Sequence, residues 1–265
     1  MIRDPSPQGS PEWHQARCGV LTASLFAQAI GTTSRGSAGR TRGDATASSE
    51  ELAAILACER ISGKPYRALL DNEWTSFGHE QEPMAKIEYL ERTGIATDDA
   101  GLILTDDRKF GYSTDGEAED RHGLGLVEVK SLASARRIAE FLCAPDKREW
   151  AMGQFKPQCK GGLWLTNRAW LDLIVWIPSM ESVNKHFWSW RIWRDDDELE
   201  QMEEQLWRFM RRVDGLEAIF RAPPLQDELI SLGLPPAIRH GAPTEQPELV
   251  AAQAATTTEL PLSLF

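Results

Sequence analysis

FGYSTDGEAEDRHGLGLVEVKS, running from Phe110 to Ser131, is the stretch whose reading decides the architecture. Two segments of strand-like composition, Phe110–Gly116 and Gly125–Ser131, flank a polar, Gly-containing run, Glu119–Gly123, that reads as the turn of a hairpin. That pairing places Asp115, at the end of the first strand, near Glu128 in the second. Side chains two apart on a strand share a face, so Glu128 and Lys130 point the same way. Two carboxylates and an ammonium then converge on one spot. Burying like charges together is costly unless a divalent ion neutralises them, and hard oxygen ligands of this kind suit Mg²⁺, with Mn²⁺ as a substitute. A solvated hairpin edge is the alternative, because an Asp followed by Glu-x-Lys recurs by chance.

The 265 residues can bury one sizeable core, or a core and a tail. A hydrophobic content of 42% and ten Trp fit a globular chain. Cys18, Cys58, Cys143 and Cys159 show no CxxC spacing and no His at zinc-finger distance, which suggests neither a structural zinc nor a disulfide framework and fits a reducing cytoplasm. With no charged-then-apolar N-terminal signal and no apolar run of membrane-spanning length, a cytoplasmic location is expected. The net charge of −11 speaks against a nucleic-acid partner, yet nine of those charges fall between Asp195 and Phe265. The body is therefore near neutral, and local basic patches remain available for phosphate contacts.

Outward from that stretch, residues 1–12 read as a flexible lead-in. WHQARCGVLTAS, Trp13 to Ser24, runs into an apolar-periodic segment, Leu25–Ile30, that Thr22 or Ser24 caps. A helix N-terminus beside a hydroxyl, with Arg17 upstream as a planar cationic fork, suits a phosphate, and an ordinary cap with a surface Arg is the other reading. Residues 31–49 are rich in Gly, Ser and Thr and read as a mobile loop, with Arg35, Arg40 and Arg42 either facing a phosphodiester backbone or simply solvated. Helices are expected over Glu50–Ser62, capped by Ser48 or Ser49, and over Gly78–Arg92, ended by Gly94. The second would carry Glu82 in its first turn, with Pro83 tolerated there and an apolar arc of Met84, Ile87 and Leu90. Ala133–Cys143 and Arg148–Cys159 are helical in pattern. Trp164–Ile177 reads as two strands about a turn at Thr166–Arg168, His186–Trp193 as a strand, and Asp195–Phe220 as a long amphipathic helix. From residue 222 onward a Pro-rich linker leads to a disordered tail. The order of elements gives an α/β architecture with a central mixed sheet.

Four blocks in order, WHQARCGVLTAS, GHEQEPMAKIEYLERTG, STDG with VEVK, and the Gln158-containing segment followed by WLTNRAW, resemble the lambda-exonuclease type of phage recombination nuclease. That type is YqaJ-like and lies within the PD-(D/E)XK superfamily. The likeness spans residue 13 to about 193 and implies an exonuclease domain over 13–221. By the resemblance, Glu82, Asp115 and Glu128 match the acidic metal ligands, with the Val129 carbonyl as a further one. Lys130 matches the lysine that orients or activates the attacking water. Gln158 matches the first glutamine of a Q-x-Q motif whose second position is here Lys160, a departure. Arg17, Ser24 and Ser113 match residues lining a pocket for the 5′-phosphate of a DNA end.

The reaction so implied is Mg²⁺-dependent 5′–3′ exonucleolysis of linear duplex DNA, releasing 5′-mononucleotides and leaving a 3′ single-stranded tail. The resemblance also implies a ring-shaped homotrimer and a single-strand annealing protein that receives the tail. A catalytically weak DNA-end-binding module, or an endonuclease of the same superfamily, are the alternatives. The last seven residues, Glu259–Phe265 (ELPLSLF), resemble the short peptide by which DNA enzymes bind the sliding clamp, with Glu259 where glutamine is usual. Folding back onto the protein and binding the annealing partner are the other readings of that segment.

Overall fold

The computed structural model describes residues 1–35, 39–66, 73–99 and 101–223. Met1–Ala222 forms one compact unit, and a second begins at Pro223. The expected tail and its Glu259–Phe265 peptide lie outside the described residues. Among those described, no helix is long and apolar enough to cross a membrane.

Two mixed sheets organise the first unit. The larger runs β3 (Thr97–Asp98), β6 (Gly116–Asp120), β7 (Gly123–Ser131), β8 (Trp170–Trp176), β9 (Phe187–Trp193) in spatial order, with β7 and β8 parallel and the other neighbours antiparallel. Its interior strand β8, WLDLIVW, is buried at every position, as expected of a strand covered on both faces. The smaller sheet runs β1 (Ile2–Asp4), β4 (Leu102–Leu104), β5 (Phe110–Ser113), β2 (Leu21–Thr22). Helices α3 (Ala47–Ser62), α6 (Lys147–Thr166) and α7 (Asp196–Arg221) pack around a core that includes Phe26, Leu56, Phe110, Phe141, Leu173 and Phe209.

The hairpin differs from its expected form. Phe110–Ser113 does not pair with Gly123–Ser131; it belongs to the smaller sheet, between β4 and β2. The partner of β7 is β6, with Gly116 opposite Val127 and Asp120 opposite Gly123. Thr114 and Asp115 are the crossing between the two sheets. No proline, and no glycine other than Gly116, marks the crossing, so only tertiary pairing reveals it.

Other boundaries shift for local reasons. Residues 1–12 are structured: β1 pairs with β4, and α1 (Pro11–Ala16) starts from Ser10, whose Oγ accepts the Trp13 N–H at 3.1 Å. Helix α3 is capped by Thr46, whose Oγ1 accepts the Ser49 N–H, and not by Ser48 or Ser49. The WLT of Trp164–Thr166 is the last turn of α6, closed by Asn167 in the left-handed conformation, φ 55°. Helix α4 (Glu73–Thr93) starts five residues before Gly78, so Glu82 and Pro83 lie in its interior, where Pro83 brings no N–H to the helical ladder. Its apolar arc faces outward: Met84, Ile87 and Leu90 are 54%, 51% and 44% exposed, while Ala85 and Tyr89 are buried. Tyr89 donates its hydroxyl to Asp172 Oδ2 at 2.6 Å, and Lys86 reaches the Asp115 carbonyl at 2.6 Å, so polar anchors set the rotation of this helix.

Candidate active site

Where α4, the sheet crossing and the C-terminal end of β7 meet, they enclose a cleft of about 410 Å³. Glu82, Asp115, Glu128, Val129, Lys130 and Gln158 all line it. So do Arg17, Ser24 and Ser113. Arg35, Arg40 and Arg42 do not. Arg40 is paired with Glu50 on α3, and the described part of its loop is tied by a Thr32–Ala45 bridge and by Thr41 and Asp44, away from this cleft.

Strand β7 holds Glu128 and Lys130 on one face, as their spacing requires. Glu128 is 1% exposed and accepts three hydrogen bonds: Tyr112 Oη to Oε2 at 2.6 Å, and Lys130 Nζ and Gln158 Nε2 to Oε1 at 2.7 and 2.5 Å. Gln158 and Tyr112 are brought together by the close approach of α6 to β5. A Cβ on Gly162 would lie 2.7 Å from the Tyr112 ring, and one on Gly161 would meet Phe26 at the same distance. Asp115 projects from the sheet crossing, and its Oδ2 accepts the Val129 N–H at 2.7 Å. Val129 thus engages Asp115 through its N–H, and it lines the cleft in which its carbonyl is expected as a ligand.

The charges explain the ionisation of the cluster. Burial, followed by the fields of Glu128 and Glu82, pushes the Asp115 carboxyl well above the usual range. Burial also raises Glu82, against the pull of Lys86, which lies 3.5 Å away. For Lys130 burial favours the neutral amine, but Glu128 and Asp115 outweigh it, and its pKa is raised. Lys86 was not foreseen as a neighbour of the site; besides Glu82 it binds Asp99 at 2.7 Å and the Asp115 carbonyl. Tyr112 was also missed, because FGYS carries no sign that its hydroxyl is buried against a carboxylate.

Among the described residues, no three His, Cys, Asp or Glu groups stand at coordinating distance of a common point. The donor set nevertheless fits a hard divalent cation: Glu128 lies close enough to raise the proton affinity of both Asp115 and Glu82, and three carboxylates so crowded form a concentration of negative charge that such an ion satisfies. Glu82, Asp115 and Glu128 are the groups that would hold it.

On the far side of the cleft the Arg17 guanidinium lies 3.9 Å over the Trp13 ring and donates to Thr22 Oγ1 at 3.0 Å, while Thr22 and Ser24 hydroxyls are 3.2 Å apart. The helix expected over Leu25–Ile30 is reduced to a 3-10 turn, Ala23–Leu25, and a four-residue α2 (Phe26–Ala29), and Thr22 makes no side-chain capping bond. This wall of the cleft thus offers a guanidinium and hydroxyls in place of a capped helix N-terminus. Ser113 donates to Gln8 Oε1 at 3.2 Å, and Gln8 contacts His79, which adds two residues from unexpected places to this wall.

A mixed sheet that presents Asp115, then Glu128-x-Lys130, beside a helical glutamate defines a PD-(D/E)XK-type nuclease fold. Within that class the chain belongs to the YqaJ-like viral recombinase domain family, which residues 12–169 match. No curated protein matches it. Among solved structures it is similar to an alkaline exonuclease, LHK-Exo from Laribacter hongkongensis, alone and in complex with dAMP. The TM-score is 0.63 at 24% identity, over 84% of this chain and 100% of that one. A phage related exonuclease from Haemophilus somnus 129PT matches with TM-score 0.59 and 15% identity, over 76% of this chain and 96% of that one. At these identities the likeness is one of fold.

Proposed function

We propose that the protein is a Mg²⁺-dependent exonuclease that degrades the 5′-ended strand of linear duplex DNA to 5′-mononucleotides, leaving a 3′ tail for strand annealing in phage recombination. The observation that carries this reading is the convergence of Glu82, Asp115, Glu128, Lys130 and Gln158 in one cleft that also holds Arg17, Ser24 and Ser113. The family and the fold shared with two exonucleases support it.

Hydrolysis requires an in-line water, stabilisation of charge on the phosphoryl oxygens, and departure of a 3′-oxygen. A bound Mg²⁺ or Mn²⁺ supplies Lewis-acid stabilisation and a bound water of lowered pKa. Lys130, held charged by Glu128 and Asp115, is a donor that orients the water or a phosphoryl oxygen and is poorly suited to take a proton. Tyr112 and Gln158 fix the Glu128 carboxylate, and Arg17 offers a fork to a terminal phosphate. A homotrimeric ring around the duplex, an annealing protein and a sliding clamp contacted through Glu259–Phe265 complete the proposal as partners.

Linear duplexes labelled at either end, with 5′-phosphate or 5′-hydroxyl, with and without Mg²⁺, test it. The expected outcome is release of 5′-mononucleotides from 5′-phosphorylated ends in Mg²⁺ alone. Asp115→Ala, Glu128→Ala and Lys130→Ala should lower the rate by orders of magnitude while the proteins stay folded. Internal cuts in circular DNA would favour an endonuclease, and end binding without release would favour a DNA-end-binding module.

A further inference from the structure

A second cavity of about 390 Å³ opens beyond Lys130 and Ser131, which line both it and the catalytic cleft. None of the residues at the Arg17 end of the cleft reaches it. Its remaining walls include Leu132, Ser134, Arg137 and Phe155. Ser131 Oγ is itself buried and has no hydrogen-bond partner among the described residues. A buried hydroxyl left in that state is costly unless a ligand completes it.

Three further features point to an anion. The Arg137 guanidinium is held by Gln154 Oε1 at 3.0 Å and by the Trp150 ring at 4.9 Å, and among the described residues no carboxylate pairs with it. Helix α5 (Ala135–Cys143) begins at Ser134, whose hydroxyl makes no bond to the helix N–H groups. Its first turn carries no acidic residue, so its N-terminal N–H groups and partial positive charge remain available. Phe155, 5.7 Å from Lys130 Nζ, gives the cavity an aromatic wall next to the catalytic ammonium.

On the nuclease reading proposed above, on which this rests, we infer that this cavity is a subsite for the nucleotide 3′ to the scissile bond. Ser131, Ser134, Arg137 and the α5 N-terminus hold the phosphodiester that follows the scissile one, and Phe155 packs on the intervening sugar and base. The order along the strand follows from the order of the walls. The terminal phosphate lies toward Arg17, the scissile phosphate at Lys130, and the next phosphate beyond Ser131. The subsite thus grips the part of the strand that stays with the duplex after cleavage and fixes which bond faces the carboxylates.

A cycle of protein and substrate changes tests this. Duplexes carry a 5′-phosphate and, in one set, a neutral methylphosphonate at the linkage between the second and third nucleotides. Release of the first nucleotide is measured with the wild-type protein, Arg137→Gln and Ser134→Ala, each checked for an unchanged thermal midpoint. Loss of a charge-assisted contact predicts that the methylphosphonate slows the wild type about tenfold and that Arg137→Gln slows release from unmodified DNA by about as much. The two changes together should add no more than about twofold, because both remove one contact. Arg137→Gln or the methylphosphonate without effect, or effects that multiply, would overturn the subsite. Should Arg137→Gln fail to fold, Ser134→Ala is read in the same cycle. If the wild type releases no nucleotide from unmodified duplex, the nuclease reading falls instead. The cycle read by fluorescence anisotropy in EDTA still decides the subsite in that case, multiplying effects overturning it.

Discussion

Tyr112→Phe isolates one hydrogen bond at the centre of the cluster. The Tyr112 hydroxyl is buried and donates to Glu128 Oε2 at 2.6 Å, whereas Lys130 and Gln158 both serve the other oxygen. Phenylalanine fills the same space against Gly162, so packing is kept and Oε2 is left buried without a donor. A hydrogen bond to a charged group contributes about 1.5–3 kcal/mol. For a unit of this size 1 kcal/mol moves the midpoint by roughly 2–4 °C, so in EDTA the variant should melt roughly 3–12 °C below the wild type. In saturating Mg²⁺ the drop should shrink, because a cation on Glu128 takes over from the missing donor. Thermal melts of both proteins in both conditions measure this. A midpoint unchanged in EDTA, or the same loss with and without Mg²⁺, would refute the idea that Tyr112 holds a carboxylate that metal also claims.

Burial and two neighbouring carboxylates raise the Asp115 pKa, so the folded, metal-free protein binds a proton more tightly than the unfolded chain. Its stabilising contribution is then present below the unfolded value of 3.8 and is lost as pH rises through the raised folded value. Asp115→Asn should therefore raise the thermal midpoint in EDTA at neutral pH, with the gain fading toward pH 3.8, even as activity disappears; a lowered midpoint at neutral pH contradicts the assignment. Mg²⁺ binding should release protons, measurable by calorimetry in buffers of different ionisation enthalpy, and a buffer-independent heat would count against metal at the carboxylates. Arg17→Ala should lessen the preference for 5′-phosphorylated over 5′-hydroxyl ends by about tenfold or more, since a charge-assisted fork is lost; an intact preference removes Arg17 from the end pocket. A synthetic peptide of the last ten residues, titrated into a sliding clamp and into the annealing protein, should bind the clamp with micromolar affinity, and silence toward both leaves the fold-back reading of that segment.

Much of the site was legible because it is written in short-range spacing. Glu128 and Lys130 sit two apart on a strand, and that alone sets them on one face. The hairpin reading brought Asp115 near Glu128, and the four ordered blocks supplied Glu82 and Gln158, which spacing alone would have left as surface residues. What escaped was tertiary. FGYS holds aromatic strand formers while GEAED holds none, and nothing local shows that the chain changes sheets at Thr114–Asp115. On α4 the more apolar arc was the natural candidate for the buried face, yet Tyr89 and Lys86, with partners on β8 and at the crossing, decided the rotation. Asn167 was a readable stop signal for α6 that the bulky WLT residues overrode. Charge alone left the Arg-rich loop open between a phosphodiester backbone and solvent, and the Arg40–Glu50 pair shows how one of those charges is satisfied within the chain.

The crossing at Asp115 has a consequence for how the chain folds. Its flanking strands belong to different sheets, one completed by Ile2–Asp4 at the N-terminus and the other by β8 and β9, well over a hundred residues later in sequence. A chain with only the larger sheet formed has Asp115 beside Glu128 but lacks the Tyr112 hydroxyl, which β5 brings from the smaller one. Ile2 pairs with Leu104 and Gly125 with Trp170, so each sheet carries a loop-closure cost that must be met before its contacts form. The crowded carboxylates therefore gain their buried hydroxyl donor only when both sheets are in place.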